Sequence, residues 1–261
     1  MWGGMPSLSA FRKLAIHTWS APNQPAIYAR LELDYTAVKA YLARHNAQSI
    51  TVNHVMTWAL ARVMDRYPNL NRRLHCGRLV QRNQVDAFLT THLSMAYGYE
   101  LSGVSIRDIA SMHLADLSQT VHAAVADLKQ NPNTLMRQTY RRLQVVPSFM
   151  MRPTVRLLDF VTNTLRVPVP GYPVDPFGSF ILTSLGSLGL SDAYIPLYPT
   201  ARNACIVAVG KPERRPDGRF TVVINATLDH RYVDGADLAR PVAFLKHIMA
   251  NPDSFFKMEA A

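Results

Sequence analysis

Residues 228–235 read L-D-H-R-Y-V-D-G. His230 ends an alternating apolar run, Asp234 follows four positions later, and Gly235 opens the next helix-like segment. An imidazole held at the end of a rigid element, with a carboxylate one turn away, is suited to general-base chemistry. The same spacing also describes an ordinary satisfied histidine in a turn, so the residues alone leave both readings open. A metal site on His230 and Asp234 lacks a third ligand nearby. Asp234 also stands where a helix N-cap belongs, ahead of Ala236.

The run that delivers His230 alternates from Phe220 to Leu228, with Phe220, Val222, Ile224, Ala226 and Leu228 on one face. Cys205 to Val209 is fully apolar, as a central strand would be. Phe177 to Thr183 reads as a strand that breaks at T-S-L-G-S-L-G, where Thr183 and Ser184 offer hydroxyls; these could also simply bond the chain in a turn. Leu238, Val242, Leu245 and Met249 trace a closing helix, with Pro241 near its start. Upstream, Ile27 to Leu33 alternates as a strand, and Asp34 caps a helix over 35–44. Thr51 caps a second helix whose stripe is Val52, Val55, Met56, Ala59, Leu60 and Val63. Arg78–Gln81 and Val85–Leu93 read as strands of a mixed sheet, followed by a helix on Leu114, Leu117, Val121, Val125 and Leu128. The order predicts an α/β or α+β sandwich.

With 261 residues, 48% of them hydrophobic, the chain has material for a core that needs no disulfide or metal staple. We read it as a single domain over 1–261. Cys76 and Cys205 show no metal or redox spacing and predict reduced thiols in a cytoplasmic protein. The first 31 residues lack acids and carry Arg12, Lys13 and Arg30; they read as mature protein. A formal charge of +10 favours acidic partners: nucleic acid, an anionic membrane face, a phosphorylated cofactor or an acidic carrier protein. No nucleic-acid-binding module is recognisable, so that partner is set aside. Between Leu135 and Arg166, six arginines and the single acid Asp159 accompany Phe149, Met150, Met151, Leu157, Leu158, Phe160 and Val161. This is either a helix pair packed on the domain or a subunit, or a basic amphipathic surface for a membrane or an anionic ligand.

Taken in order, the chain resembles the catalytic domain of the dihydrolipoamide acyltransferases of 2-oxo acid dehydrogenase complexes, and through them chloramphenicol acetyltransferase. L-D-H-R-Y-V-D-G is similar to the family's D-H-R-x-x-D-G, and I-L-T-S-L-G-S-L-G at 181–189 to its T-I-S-N-L-G strand. Y-P-N-L-N-R-R-L at 67–74, I-P-L-Y-P at 195–199 and I-V-A-V-G at 206–210 follow the family's order, so the resemblance runs from about Arg12 to Pro252. It implies a mixed-sheet sandwich with helices that assembles as a homotrimer or a multiple of trimers, with active sites between subunits. His230 is then the general base, Asp234 fixes its geometry, and the Thr183 hydroxyl holds the tetrahedral oxyanion from a different chain. Arg12 and Gly235 support the site, and Ser184 lies beside the substrate.

The implied reaction moves an acyl group from a coenzyme A or phosphopantetheine thioester to a hydroxyl or thiol by direct attack. It needs no bound cofactor; the partners are a small-molecule acceptor, in a setting such as specialised metabolism, and an acyl carrier protein as a candidate donor. Complex-forming members carry lipoyl and subunit-binding domains ahead of the core, and this sequence shows neither. The alternative is a non-catalytic trimeric core that organises a 2-oxo acid dehydrogenase-type complex. Two departures from the family stand out: Thr in place of Ser at 183, and a longer, more apolar stretch at 135–176.

Overall fold

The alternation read between Ile27 and Leu33 is realised in β1 (Ala26–Asp34), whose Leu31 and Leu33 face the core while Arg30 and Glu32 face outward. The computed structural model describes residues 25–257, apart from 48, 96–97, 132–134, 171 and 173. After β1 come α1 (Thr36–Arg44), α2 (Val52–Arg66), β2 (Arg72–His75), β3 (Arg78–Gln81), β4 (Ala87–Met95), β5 (Gly98–Ile106) and α3 (Leu114–Gln130). Then follow α4 (Leu135–Gln144), α5 (Ser148–Asp159), β6 (Phe180–Ser184), β7 (Cys205–Val209), β8 (Glu213–Arg214), β9 (Phe220–Asp229), α6 (Gly235–Ala250) and α7 (Pro252–Phe255).

Among the described residues, seven strands form one sheet in the order β1-β9-β7-β6-β4-β5, with β8 beside the start of β9. Strand β9 runs antiparallel to both β1 and β7, whereas β7, β6 and β4 run parallel to one another. The mixed sheet is therefore as expected. Phe180, Leu182, Val207, Val209, Val222, Ile224 and Leu228 point into a layer of α1, α2, α3 and α6, where Val38, Val55, Met56, Leu117 and Ile248 are fully buried. The opposite face holds a smaller cluster of Phe88, Ile181, Ile206, Leu197 and Ala201. Every residue of β7 is buried, the condition of a strand covered on both faces.

The parallel pairing of β4 and β6 is pinned at one end by Asp86. Its carboxylate accepts from the Arg107 guanidinium at 2.7 Å and from the Asp108 N–H at 2.9 Å, while its carbonyl accepts from the Ser179 N–H at 2.8 Å. Gly178 makes this approach feasible: its φ is +60°, and a Cβ there would lie 2.7–2.9 Å from Asp86.

Three expectations need correction. Among the described residues strand β3 does not join the main sheet; it pairs with β2, and its R-L-V-Q side chains stay largely exposed. Strand β5 has no clear signal in the sequence, since its Gly and Ser residues weaken the alternation that would announce it. Helix α1 begins one residue later than read: the Asp34 carboxylate does accept from the Thr36 N–H at 2.8 Å, but Tyr35 takes the cap position.

His54, given no role from sequence, completes the start of α2. Its Nδ1 accepts from the Thr51 N–H at 3.2 Å in a capping box, and Ser118 Oγ of α3 lies 3.1 Å from the same nitrogen. Burial, helped by the neighbouring His122, lowers the His54 pKa to about 4. The neutral ring is thus the native form, and protonating Nδ1 would remove the acceptor that caps the helix. A depressed histidine contributes stability that is intact above about pH 6.5 and is lost as the pH falls toward 4, by about 3 kcal/mol at most. Thermal melts should therefore show Tm falling across that window in the native protein, and a flatter profile in His54→Gln. An unchanged profile would remove His54 from the acid response.

Candidate active site

Strand β9 stops at Asp229, level with Ala26 at the start of β1 and one residue beyond its pairing with Cys205 of β7. The stop is fixed by backbone bonds on both sides: Asp229 N–H donates to the Ala204 carbonyl at 2.9 Å, and His230 N–H to the Pro25 carbonyl at 2.7 Å. The Asp229 side chain is buried, a costly placement for a carboxylate unless its lone pairs are filled. Arg231 fills them, with Nε 3.0 and 3.1 Å and Nη2 2.6 Å from the two oxygens, and its backbone N–H adds a bond of 3.0 Å. This pairing raises the Arg231 pKa above its ordinary value. Tyr232 then turns inward, where burial pushes its phenol up to about 12 and its hydroxyl accepts from the Leu74 N–H of β2 at 2.8 Å.

The turn that results holds His230 outward. Its Nδ1 lies 2.8 Å from Asp234 Oδ1, with 60% of the histidine side chain and 65% of the aspartate side chain exposed. With Nδ1–H donating to the carboxylate, Nε2 keeps its lone pair and is the basic nitrogen. Asp234 serves two purposes, because it is also the N-cap of α6, in a reciprocal capping box with Asp237. Gly235 starts that helix in open space. Arg12 lies outside the described residues.

Thr183 is near the end of β6, on the face away from the helix layer, where its Oγ1 is 2.7 Å from Thr90 Oγ1 of β4. Strand alternation sends Ser184 to the other face, with Leu182, so the structure does not bring Ser184 and Thr183 together. Pairing registers place Thr90, Thr183, Ala208, Asn225 and Arg30 in one transverse row. At its far end Asp192 bridges the row, accepting from Asn225 Nδ2 at 2.6 Å and Arg30 Nε at 2.9 Å. The bond from Arg30 holds the Asp192 carboxyl below its ordinary pKa.

The same registers separate Thr183 from His230 within the chain. His230 is five residues beyond Asn225, which shares the row of Thr183 two strands away. At about 3.4 Å per residue and 4.8 Å per strand, that is roughly 17 Å along the sheet and 10 Å across it. Among the described residues no cluster of three or more His, Cys, Asp or Glu is arranged to hold a metal ion.

Comparison with known proteins finds likeness in sequence over part of the chain and in fold over most of it. Residues 177–257 match the family model of the 2-oxoacid dehydrogenases acyltransferase catalytic domain. Over this stretch the chain is similar to these acyltransferases. Over 85 residues it is 41% identical to the dihydrolipoyllysine-residue acetyltransferase component 4 of the chloroplastic pyruvate dehydrogenase complex of Arabidopsis thaliana. That match spans 30% of this chain and 17% of the relative. The fold is shared over far more of the chain. The Azotobacter vinelandii dihydrolipoamide acetyltransferase superposes with a TM-score of 0.64 at 18% identity, covering 97% of this chain and 94% of that one. In that enzyme a serine, a histidine and an asparagine four positions after the histidine have been investigated for catalytic roles. Chloramphenicol acetyltransferase superposes with a TM-score of 0.52 at 14% identity, over 93% and 96% of the two chains. The sandwich of the acyltransferase cores is thus the fold of this protein, as the sequence resemblance implied.

Sequence reasoning passed over Arg231, Tyr232 and Thr90. The first two lie inside the signature itself, and their alternation with Asp229 and His230 around the turn was the available signal. Thr90 could be found only through the pairing of β4 with β6. Tyr232→Phe leaves the Leu74 N–H without its partner, so unfolding in urea should show a loss of about 1–3 kcal/mol. A midpoint equal to that of the native protein would mean that the hairpin does not depend on this bond.

Proposed function

We propose that the protein is an acyltransferase in which His230 of one subunit and Thr183 of the next form each active site. The observation that carries this reading is the oriented pair His230–Asp234, which leaves Nε2 basic and open to solvent at a strand end. The distance between His230 and Thr183 within a chain supports a site shared between subunits. The same His-x-x-x-carboxylate-or-amide spacing in the Azotobacter vinelandii enzyme supports a catalytic use for the pair.

In this reading Nε2 of His230 removes the proton of the acceptor hydroxyl or thiol as the acceptor oxygen or sulfur attacks the thioester carbonyl carbon. The carbonyl π electrons move to oxygen, and the Thr183 hydroxyl donates to that oxyanion. Collapse expels the donor sulfur, which recovers the proton from the imidazolium. Thr90 assists by donating to Thr183 Oγ1, which leaves the Thr183 proton for the oxyanion. The donor is a thioester of coenzyme A or of a phosphopantetheine or lipoyl carrier. The net positive charge suits the phosphates of the first two.

Purified protein given acyl-CoA and an acceptor should release thiol. His230→Ala should lower kcat by about 10²–10⁴. Thr183→Ala should cost about 10²–10³, with Thr183→Ser keeping most of the rate. Full activity in His230→Ala would sink the mechanism.

A further inference from the structure

Helix α5 runs on into a π turn at Phe160–Thr164, and this continuous segment carries two apolar stripes. Met151 and Val155 form the inner stripe, buried with Leu143 in a small cluster separate from the main core, and Thr162 is buried on the same side. Phe149, Pro153, Leu157 and Phe160 form the outer one, at i, i+4, i+8 and i+11, and all four are exposed, Phe149 at 81% and Leu157 at 63%. At 3.6 residues per turn the two stripes are centred about 180° apart. A helix held to its protein by one apolar face ordinarily shows polar residues on the other. Here the outward face is apolar as well.

The surroundings of the outer stripe are cationic. Arg152 and Arg156 flank it, and Arg141, Arg142 and Arg166 are exposed nearby, as are Val145, Leu165 and Val167. Asp159, the one acid between 135 and 166, is turned away into a pair with Arg202 at 2.7 Å and a bond from Asn163 at 2.8 Å. An apolar ridge edged by arginines, with the one acid of 135–166 turned away, matches a surface that is greasy beneath and anionic on top. No described helix is long and apolar enough to cross a membrane.

We infer that α5 docks peripherally on an anionic phospholipid surface, with Phe149, Leu157 and Phe160 at the acyl boundary and the arginines on headgroup phosphates. Apolar insertion and a basic cluster are the two signals that together hold a protein on a bilayer. Pairing this face with a second copy would set arginines of like charge against each other. A fluid lipid interface also closes around a helix ridge without a preformed groove. The inference is independent of the acyltransferase reading.

The test is co-sedimentation of the full chain with vesicles of phosphatidylcholine alone and of phosphatidylcholine with phosphatidylglycerol. Binding is expected only to the second kind and should fade toward 1 M salt, where the Debye length shrinks to about 3 Å. Arg141→Gln and Arg156→Gln should each weaken it roughly fivefold. The double variant Phe149→Ser, Leu157→Ser should weaken it tenfold or more, with circular dichroism unchanged because both side chains are exposed. No binding by the native protein at low salt would overturn the proposal. So would undiminished binding by the double serine variant. A drop in assembly size in that variant by sedimentation velocity would also overturn it, assigning the stripe to a second copy.

Discussion

The register of β9 against its two neighbours is the constraint on which the rest depends. Because β9 pairs with β1 from Thr221 to Asp229 and with β7 from Ile224 to Leu228, His230 leaves at the edge of the sheet while Thr183 stays within it. A one-residue slip would send Ile224 and Leu228 out of the helix-side core and Asn225 and Thr227 into it. The hydrophobic core therefore sets where His230 emerges. The separation of base and hydroxyl is built into the strand pairing and is not a matter of side-chain rotamers.

Around that frame, buried polar groups are spent on holding turns. Asp229 could not stay buried without the Arg231 fork and a backbone N–H, and the same contacts shape the turn that presents His230. Tyr232 ties this turn to the β2–β3 hairpin, and Asp234 ties it to the start of α6. Asp86 plays the corresponding part on the Thr183 side, fixing the β4–β6 pairing that brings Thr90 to Thr183. Each half of the candidate site is held by its own set of polar bonds, and the strand pairings set the two halves apart within one chain.

Much of this was legible in the sequence because periodicity reports burial. The alternation in Ile27–Leu33 and Phe220–Leu228, the apolar run Cys205–Val209 and the stripes of α2 and α3 all report faces that the structure buries. The histidine and aspartate of the signature were legible as types at a spacing. Less was visible where stability comes from polar bonding: β5 pairs through its backbone despite its Gly and Ser residues, and His54 acts through a cap. The role of Thr90 needed a pairing across 93 positions, which no local pattern encodes. The exposed stripe of α5 was visible as composition, but its outward direction emerged only once Met151 and Val155 were seen to face inward.

The central claim is that each site takes His230 from one subunit and Thr183 from another. Co-expression of His230→Ala and Thr183→Ala chains, each inactive alone, measures this most directly. In mixed assemblies of a cyclic oligomer about a quarter of the sites combine the intact residues of the two chains, so about a quarter of the native rate should return. No activity above that of the separate variants would contradict the account.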